Sequence, residues 1–224
     1  MGTTTTTTTS ICLVLILIIS IVVNHSAAQE PPPVLDIAGK PVRTGGKYYI
    51  LPGIRGRGGG LTVYRAPGKN ITCPASVVLA QNEVDSGLPV SFSPVNGPAQ
   101  LVLESSSQIL KFSSADVASA CGGAAVTVLK LGVYDRATET LFTESGKMEG
   151  PASTSLFRIL KSETGIPYSY KLANCLNKVT CRDLGIFTHT QPQDGTRRLA
   201  LSLLPADDTR FQPSFPFFFK EAPA

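Results

Sequence analysis

After residue 28, no stretch of this chain holds a 3.6-residue apolar period for long, and that excludes more folds than any other feature. Twenty Gly and 17 Pro are scattered along the 224 residues, so a long helix would soon meet a breaker. Short β-like runs recur instead between turn signals: Tyr48–Leu51, Leu61–Tyr64, Ser76–Leu79, Val90–Phe92, Gln100–Leu103, Ile109–Phe112, Ala125–Lys130, Leu156–Leu160, Tyr168–Leu172, Leu184–Phe187, Leu199–Leu203 and Phe215–Phe219. About a dozen such strands predict an all-β barrel or sandwich. A trefoil would need three similar units of about 60 residues, which the spacing permits without demonstrating. Phe215–Phe219 reads as a last strand rather than a sorting tail, because its aromatic side chains would be costly to leave in water.

The amino terminus does not belong to that pattern. Ile11–Val23 is apolar apart from Ser20 and too short for a typical membrane span, and Ser26-Ala27-Ala28 supplies the small residues a signal peptidase needs. Residues 1–28 are therefore read as a secretory signal cut after Ala28, although no Lys or Arg precedes the apolar run. The remaining residues, 29–224, suit one domain with a full core. Gln29–Pro33 is expected to be an extended, mobile lead-in, with order beginning at Val34. The net charge of +4 is mild and contains no dense basic block, so nucleic acid is not an expected partner.

Cys12 leaves with the signal, and Cys73, Cys121, Cys175 and Cys181 remain. Four cysteines in an exported chain read as two disulfides, with three connectivities open. Zinc is disfavoured because no C-x-x-C pair occurs, and no cofactor is expected. Sequential pairing would close loops worth roughly 4 and 2 kcal/mol on the chain-entropy model. Asn70-Ile71-Thr72 is an N-glycosylation acceptor for an exported chain.

Enzyme chemistry finds little to stand on. A Ser or Cys nucleophile wants a His base; the mature chain has only His189, read as a surface or loop residue, and there is no G-x-S-x-G elbow. Asp183, Asp194, Asp207 and Asp208 could supply a carboxylate pair, but exposed turn acids are the default. Arg55-Gly56-Arg57-Gly58-Gly59-Gly60 fails the phosphate-loop patterns and reads as a mobile surface loop. Ser93-Pro94-Val95-Asn96-Gly97-Pro98-Ala99 lies between Cys73 and Cys121. Its prolines bias Ser93 and Gly97 toward extended or turn backbone, while Asn-Gly alone would suggest a two-residue hairpin turn.

Val34-Leu35-Asp36, Gly39-Lys40, Val42 and Tyr48-Tyr49-Ile50 resemble the opening signature of the plant Kunitz-type, soybean-trypsin-inhibitor-like family, with a departure at Ala38. Cys73-Pro74, Asn82–Gly87, Leu110-Lys111-Phe112, Cys121, Tyr170-Lys171-Leu172, Cys175, Cys181, Leu184-Gly185-Ile186 and Asp194–Leu199 follow in family order and span nearly all of residues 29–224.

The resemblance implies a β-trefoil of about twelve strands with disulfides Cys73–Cys121 and Cys175–Cys181. It also implies an exported or vacuolar protease inhibitor, monomeric, with a place in plant defence. The loop Ser93, Pro94, Val95, Asn96, Gly97, Pro98 would enter an endopeptidase cleft like a substrate. Asn96 would reach the specificity pocket, and Gly97 would follow the scissile bond. Trypsin's pocket ends in a carboxylate that Asn96 leaves unpaired, so trypsin is not the expected target. Asn96 suggests an asparagine-specific cysteine protease, and a shift of register to Val95 an elastase- or subtilisin-like one. Thr44 stands where the family often has an Asn that braces the loop. The alternative is a non-inhibitory miraculin-like or storage trefoil; a pigment carrier is less favoured, since no pigment-loop motif is recognisable.

Overall fold

The computed structural model describes residues 30–95, 97–123, 127–148, 152–175, 181–189, 196–204 and 208–223. Residues Pro32–Ala224 form one compact unit; the signal read over 1–28 lies outside the described residues.

Six strands close into a ring. They are β1 (Lys47–Pro52), β4 (Val90–Pro94), β5 (Ser107–Phe112), β8 (Phe157–Lys161), β9 (Tyr170–Asn174) and β14 (Phe217–Glu221). Each is antiparallel to its neighbours, and β14 returns to pair with β1 over Tyr48–Pro52. Alternation drives the closure: in β5 the residues Gln108, Leu110 and Phe112 turn inward while Ser107, Ile109 and Lys111 turn out. Phe92, Phe157, Phe217 and Phe219 are fully buried, and Phe92 meets Phe219 edge-on at 5.4 Å. Each buried aromatic is worth roughly 2–3 kcal/mol in area alone, and closing the ring leaves no open edge.

Three hairpins cap the ring: β2 (Leu61–Val63) with β3 (Ala75–Leu79), β6 (Thr127–Asp135) with β7 (Thr140–Lys147), and β11 (Gly185–Thr188) with β12 (Arg197–Ser202). β3, β7 and β12 pair with one another. Each third of the chain thus runs strand, hairpin, strand, which makes the fold a β-trefoil. The short β10 (Arg182–Asp183) and β13 (Phe211–Gln212) pair with β9 and β11, so the described residues hold fourteen strands where about twelve were expected. The disulfides are Cys73–Cys121 and Cys175–Cys181, as the family resemblance implied.

Several expectations need correction. β7 was not anticipated, because its buried positions include Thr140, Thr143 and Ser145 rather than an apolar alternation. The Thr143 hydroxyl is satisfied by donating to the Leu199 carbonyl at 2.8 Å. One short helix, α1 (Ala115–Ala120), lies in the second repeat. Gln100–Leu103 forms isolated bridges to residues 43 and 33 instead of a strand, and the Glu104 amide donates to the Pro32 carbonyl at 2.9 Å, so the end of the lead-in expected to be mobile is tied to the barrel.

The glycine run is not a mobile surface loop throughout. Arg55, Gly56 and Arg57 are exposed, but Gly58, Gly59 and Gly60 are buried. The Gly59 and Gly60 amides donate to the carbonyls of Ala80 and Asp85, each at 2.8 Å. His189 is half-buried, its ring packed on Phe142 and Phe187 beside a small apolar cluster separate from the barrel core. The Arg198 guanidinium lies 3.7 Å from the Phe142 ring centroid; burial lowers its pKa, with Asp135 and Glu144 opposing.

Candidate functional site

Phe92 fills the barrel and Ser93 pairs with Ile109, so β4 is anchored immediately before the chain leaves the wall. Ser93 and Pro94 are the last two residues of this strand and half-buried, not part of a free loop. The Val95 amide still donates to the Ser107 carbonyl at 3.2 Å, yet its side chain is 42% exposed. Gly97, Pro98, Ala99 and Gln100 follow, all exposed. Gly97 has φ +95°, a conformation that favours glycine, and stands in open space. Asn96 lies outside the described residues. Asn96-Gly97 does not close a two-residue hairpin, because β5 begins only at Ser107.

The far end of the loop is tied to the turn that precedes β1. The Thr44 amide donates to the Gln100 carbonyl at 3.0 Å, and the Gly45 amide donates to the Phe92 carbonyl at 3.0 Å. Val102, fully buried, donates its amide to the Val42 carbonyl at 2.9 Å. The turn is itself held by Tyr48, whose hydroxyl accepts the Arg43 amide at 3.0 Å. Thr44 therefore supports the loop through its backbone, while its hydroxyl is buried with no hydrogen-bond partner among the described residues. Gln100 and Val102 were missed as loop supports; the available signal was the short apolar run Leu101-Val102-Leu103 directly after the proline-stiffened segment.

The Cys73–Cys121 bridge sits elsewhere on the unit. Both sulfurs lie against the Ser145 carbonyl oxygen on β7, at 3.8 and 3.6 Å, a contact without a proton to share. Asn70 is exposed in the turn region before Cys73, beside the Arg65–Asp116 ion pair. The carboxylates weighed as an acid–base pair are occupied separately. Asp183 accepts from Ser214 at 2.6 Å and pairs with Lys171 at 2.9 Å. Asp208 takes both guanidinium contacts of Arg210, which hold its carboxyl below the usual range. Asp194 and Asp207 lie outside the described residues. No group of three or more metal-ligating side chains occurs among the described residues.

Three comparisons bear on this geometry. A legume Kunitz family model, described as trypsin and protease inhibitor, matches residues 34–212. The chain is 40% identical over 182 residues to Kunitz trypsin inhibitor 5 of Arabidopsis thaliana, covering 77% of this chain and 82% of that protein. It is 37% identical over 179 residues to miraculin of Synsepalum dulcificum, covering 76% and 78%. Among solved structures it is similar to the complex of porcine pancreatic trypsin with soybean trypsin inhibitor, at 27% identity and a TM-score of 0.64, covering 84% of this chain and 98% of that chain.

Proposed function

Because the chain belongs to the plant Kunitz family, whose members are protease inhibitors and not enzymes, we propose that it inhibits an endopeptidase by offering Ser93, Pro94, Val95, Asn96, Gly97 and Pro98 to the cleft. The observation that carries this reading is the exposed tip between two tied ends: Val95 to Ser107 on one side, Gln100 to Thr44 on the other. Ordering such a loop before binding removes most of its entropic cost on association. After attack at the carbonyl preceding Gly97, the same ties would keep the leaving amine in place, so re-ligation competes with hydrolysis.

Asn96 directs the target away from trypsin and toward an asparagine-specific cysteine protease, or, in the Val95 register, an elastase- or subtilisin-like enzyme. A panel of serine and cysteine proteases, with mass spectrometry of any nicked chain, tests the proposal: a cut after Asn96 or Val95 identifies the contact residue. Equal potency of wild type and Asn96→Ala discards Asn96 in that role. Export or vacuolar delivery after loss of residues 1–28, a glycan on Asn70 and a monomeric state complete the reading.

A second reading is favoured by the buried Thr44 hydroxyl, which finds no hydrogen-bond partner among the described residues and so braces none of them, and by the similarity to miraculin. In it the trefoil is kept and inhibition is lost. Inhibition of no enzyme across serine, cysteine and aspartic classes would select it.

A further inference from the structure

The connection from β8 to β9, residues 162–169, is a second braced projection at the barrel end that carries the 95–100 tip. Ring strands alternate in direction, so the β4–β5 and β8–β9 connections emerge at the same end. Residues 163–168 are all exposed, whereas the flanking Ser162 and Ser169 are buried. Three hydroxyls run through the inside of this loop. Ser162 Oγ lies 3.2 Å from Thr164 Oγ1, which lies 3.2 Å from Ser169 Oγ, and Ser169 donates to the Ile166 carbonyl at 2.8 Å. Outside, Lys171 pairs with Glu163 at 3.0 Å.

The tip is shaped against local preference. The Ser169 amide donates to the Ile166 carbonyl at 3.3 Å, closing a turn with Pro167 second and Tyr168 third. Tyr168 has φ +58°, at the position where such a turn normally takes glycine. A bulky residue there is strained, and the strain is not offset by full burial: Tyr168 is 41% exposed. Its ring overlies Gly39, with Ile37 46% exposed nearby in sequence and Ile166 39% exposed on the same turn. A rigid ring held out beside an aliphatic side chain is the composition of a protein-contact hot spot.

We propose that Ile166 and Tyr168 form an exosite for the same endopeptidase whose cleft takes the 93–98 segment; this inference rests on the inhibitor reading above. The two connections lie two strand spacings apart around the ring, about 10 Å. A standard interface covers about 800 Å² on each partner, a patch roughly 30 Å across. A protein seated on the first loop therefore overlies the second. The contact it finds there is apolar, so the rim of its cleft on that side is apolar too. The 166–169 turn is not a second substrate segment, because a cleft takes extended backbone and this turn is closed by its own hydrogen bond.

Inhibition constants for wild type, Tyr168→Gly and Ile166→Ala against a panel of serine and cysteine endopeptidases decide the matter. Against an enzyme that wild type inhibits, each variant is expected to be about tenfold weaker or more. Tyr168→Gly is expected to melt no lower than wild type, because glycine releases the turn. A rise of less than threefold in both variants overturns the exosite and leaves the inhibitor reading standing. A wild type that inhibits no panel enzyme overturns both. Wild-type dimerisation that both variants abolish also overturns it, by assigning the tip to a second copy of the chain. Should Tyr168→Gly unfold, Ile166→Ala leaves the turn's dihedrals alone and carries the test by itself.

Discussion

The Thr44 amide holds the Gln100 carbonyl at 3.0 Å, while the hydroxyl of the same threonine is sealed from water without a hydrogen-bond partner among the described residues. One residue thus braces the exposed loop with its backbone and costs stability with its side chain. Thr44→Val keeps the shape and removes the stranded oxygen, and is expected to raise unfolding stability by about 1 kcal/mol. Urea denaturation with an unchanged m-value checks it; a loss of stability would mean that the hydroxyl is satisfied in solution.

Asn96→Arg supplies the cation that a trypsin pocket requires on a loop otherwise untouched. Trypsin inhibition is expected to tighten about 100-fold or more, as a buried carboxylate gains its partner. A steady-state inhibition assay reads this directly, and no gain would show that residue 96 does not occupy the pocket.

Gly59 donates to Ala80 where a Cβ would overlap the carbonyl oxygens of Asn82 and Asp85. Gly59→Ala is expected to cost roughly 3 kcal/mol or more, since backbone on both sides must move. Gly68 has a positive φ of 70° but open space around it, and Gly68→Ala is expected to cost only about 1 kcal/mol. Thermal or chemical unfolding of the two variants side by side separates steric exclusion from dihedral preference.

The Tyr170 hydroxyl accepts the Leu35 amide at 2.9 Å inside the barrel end. Burial raises its pKa, with the Leu35 hydrogen bond opposing. A phenol whose folded pKa is raised binds its proton more tightly folded than unfolded. Its contribution is therefore complete below the unfolded pKa of about 10 and is lost as pH rises from there through the folded value. Absorbance titration should show a late-ionising tyrosine that is absent in Tyr170→Phe. That variant should also lose about 1 kcal/mol at neutral pH, because the Leu35 amide is left without its acceptor.

Tyr48 and Ile50, two apart in a short run, announced a barrel strand, and both are buried in β1. Phe215–Phe219 reads as a strand because its aromatics are costly to expose, and Phe217–Glu221 is an interior strand paired with both β1 and β9. β7 escaped notice because its buried Thr140, Thr143 and Ser145 are polar residues that only a neighbouring strand can accommodate. The buried glycines escaped for the converse reason: a run without side chains looks free until another stretch of backbone lies against it.

What the linear order of residues determined here is whatever depends on near neighbours: strand runs, turns, the want of a sustained helical period after residue 28, the four cysteines in that stretch, and the prolines that stiffen residues 93–98. Which chains meet was decided only in three dimensions. Thr44 reaches Gln100, Leu35 reaches Tyr170 and β14 returns to β1 because burying the aromatic interior requires the sheet to close on itself. Closure selects partners by shape and by hydrogen-bond satisfaction across long stretches of chain, and no local pattern carries that information.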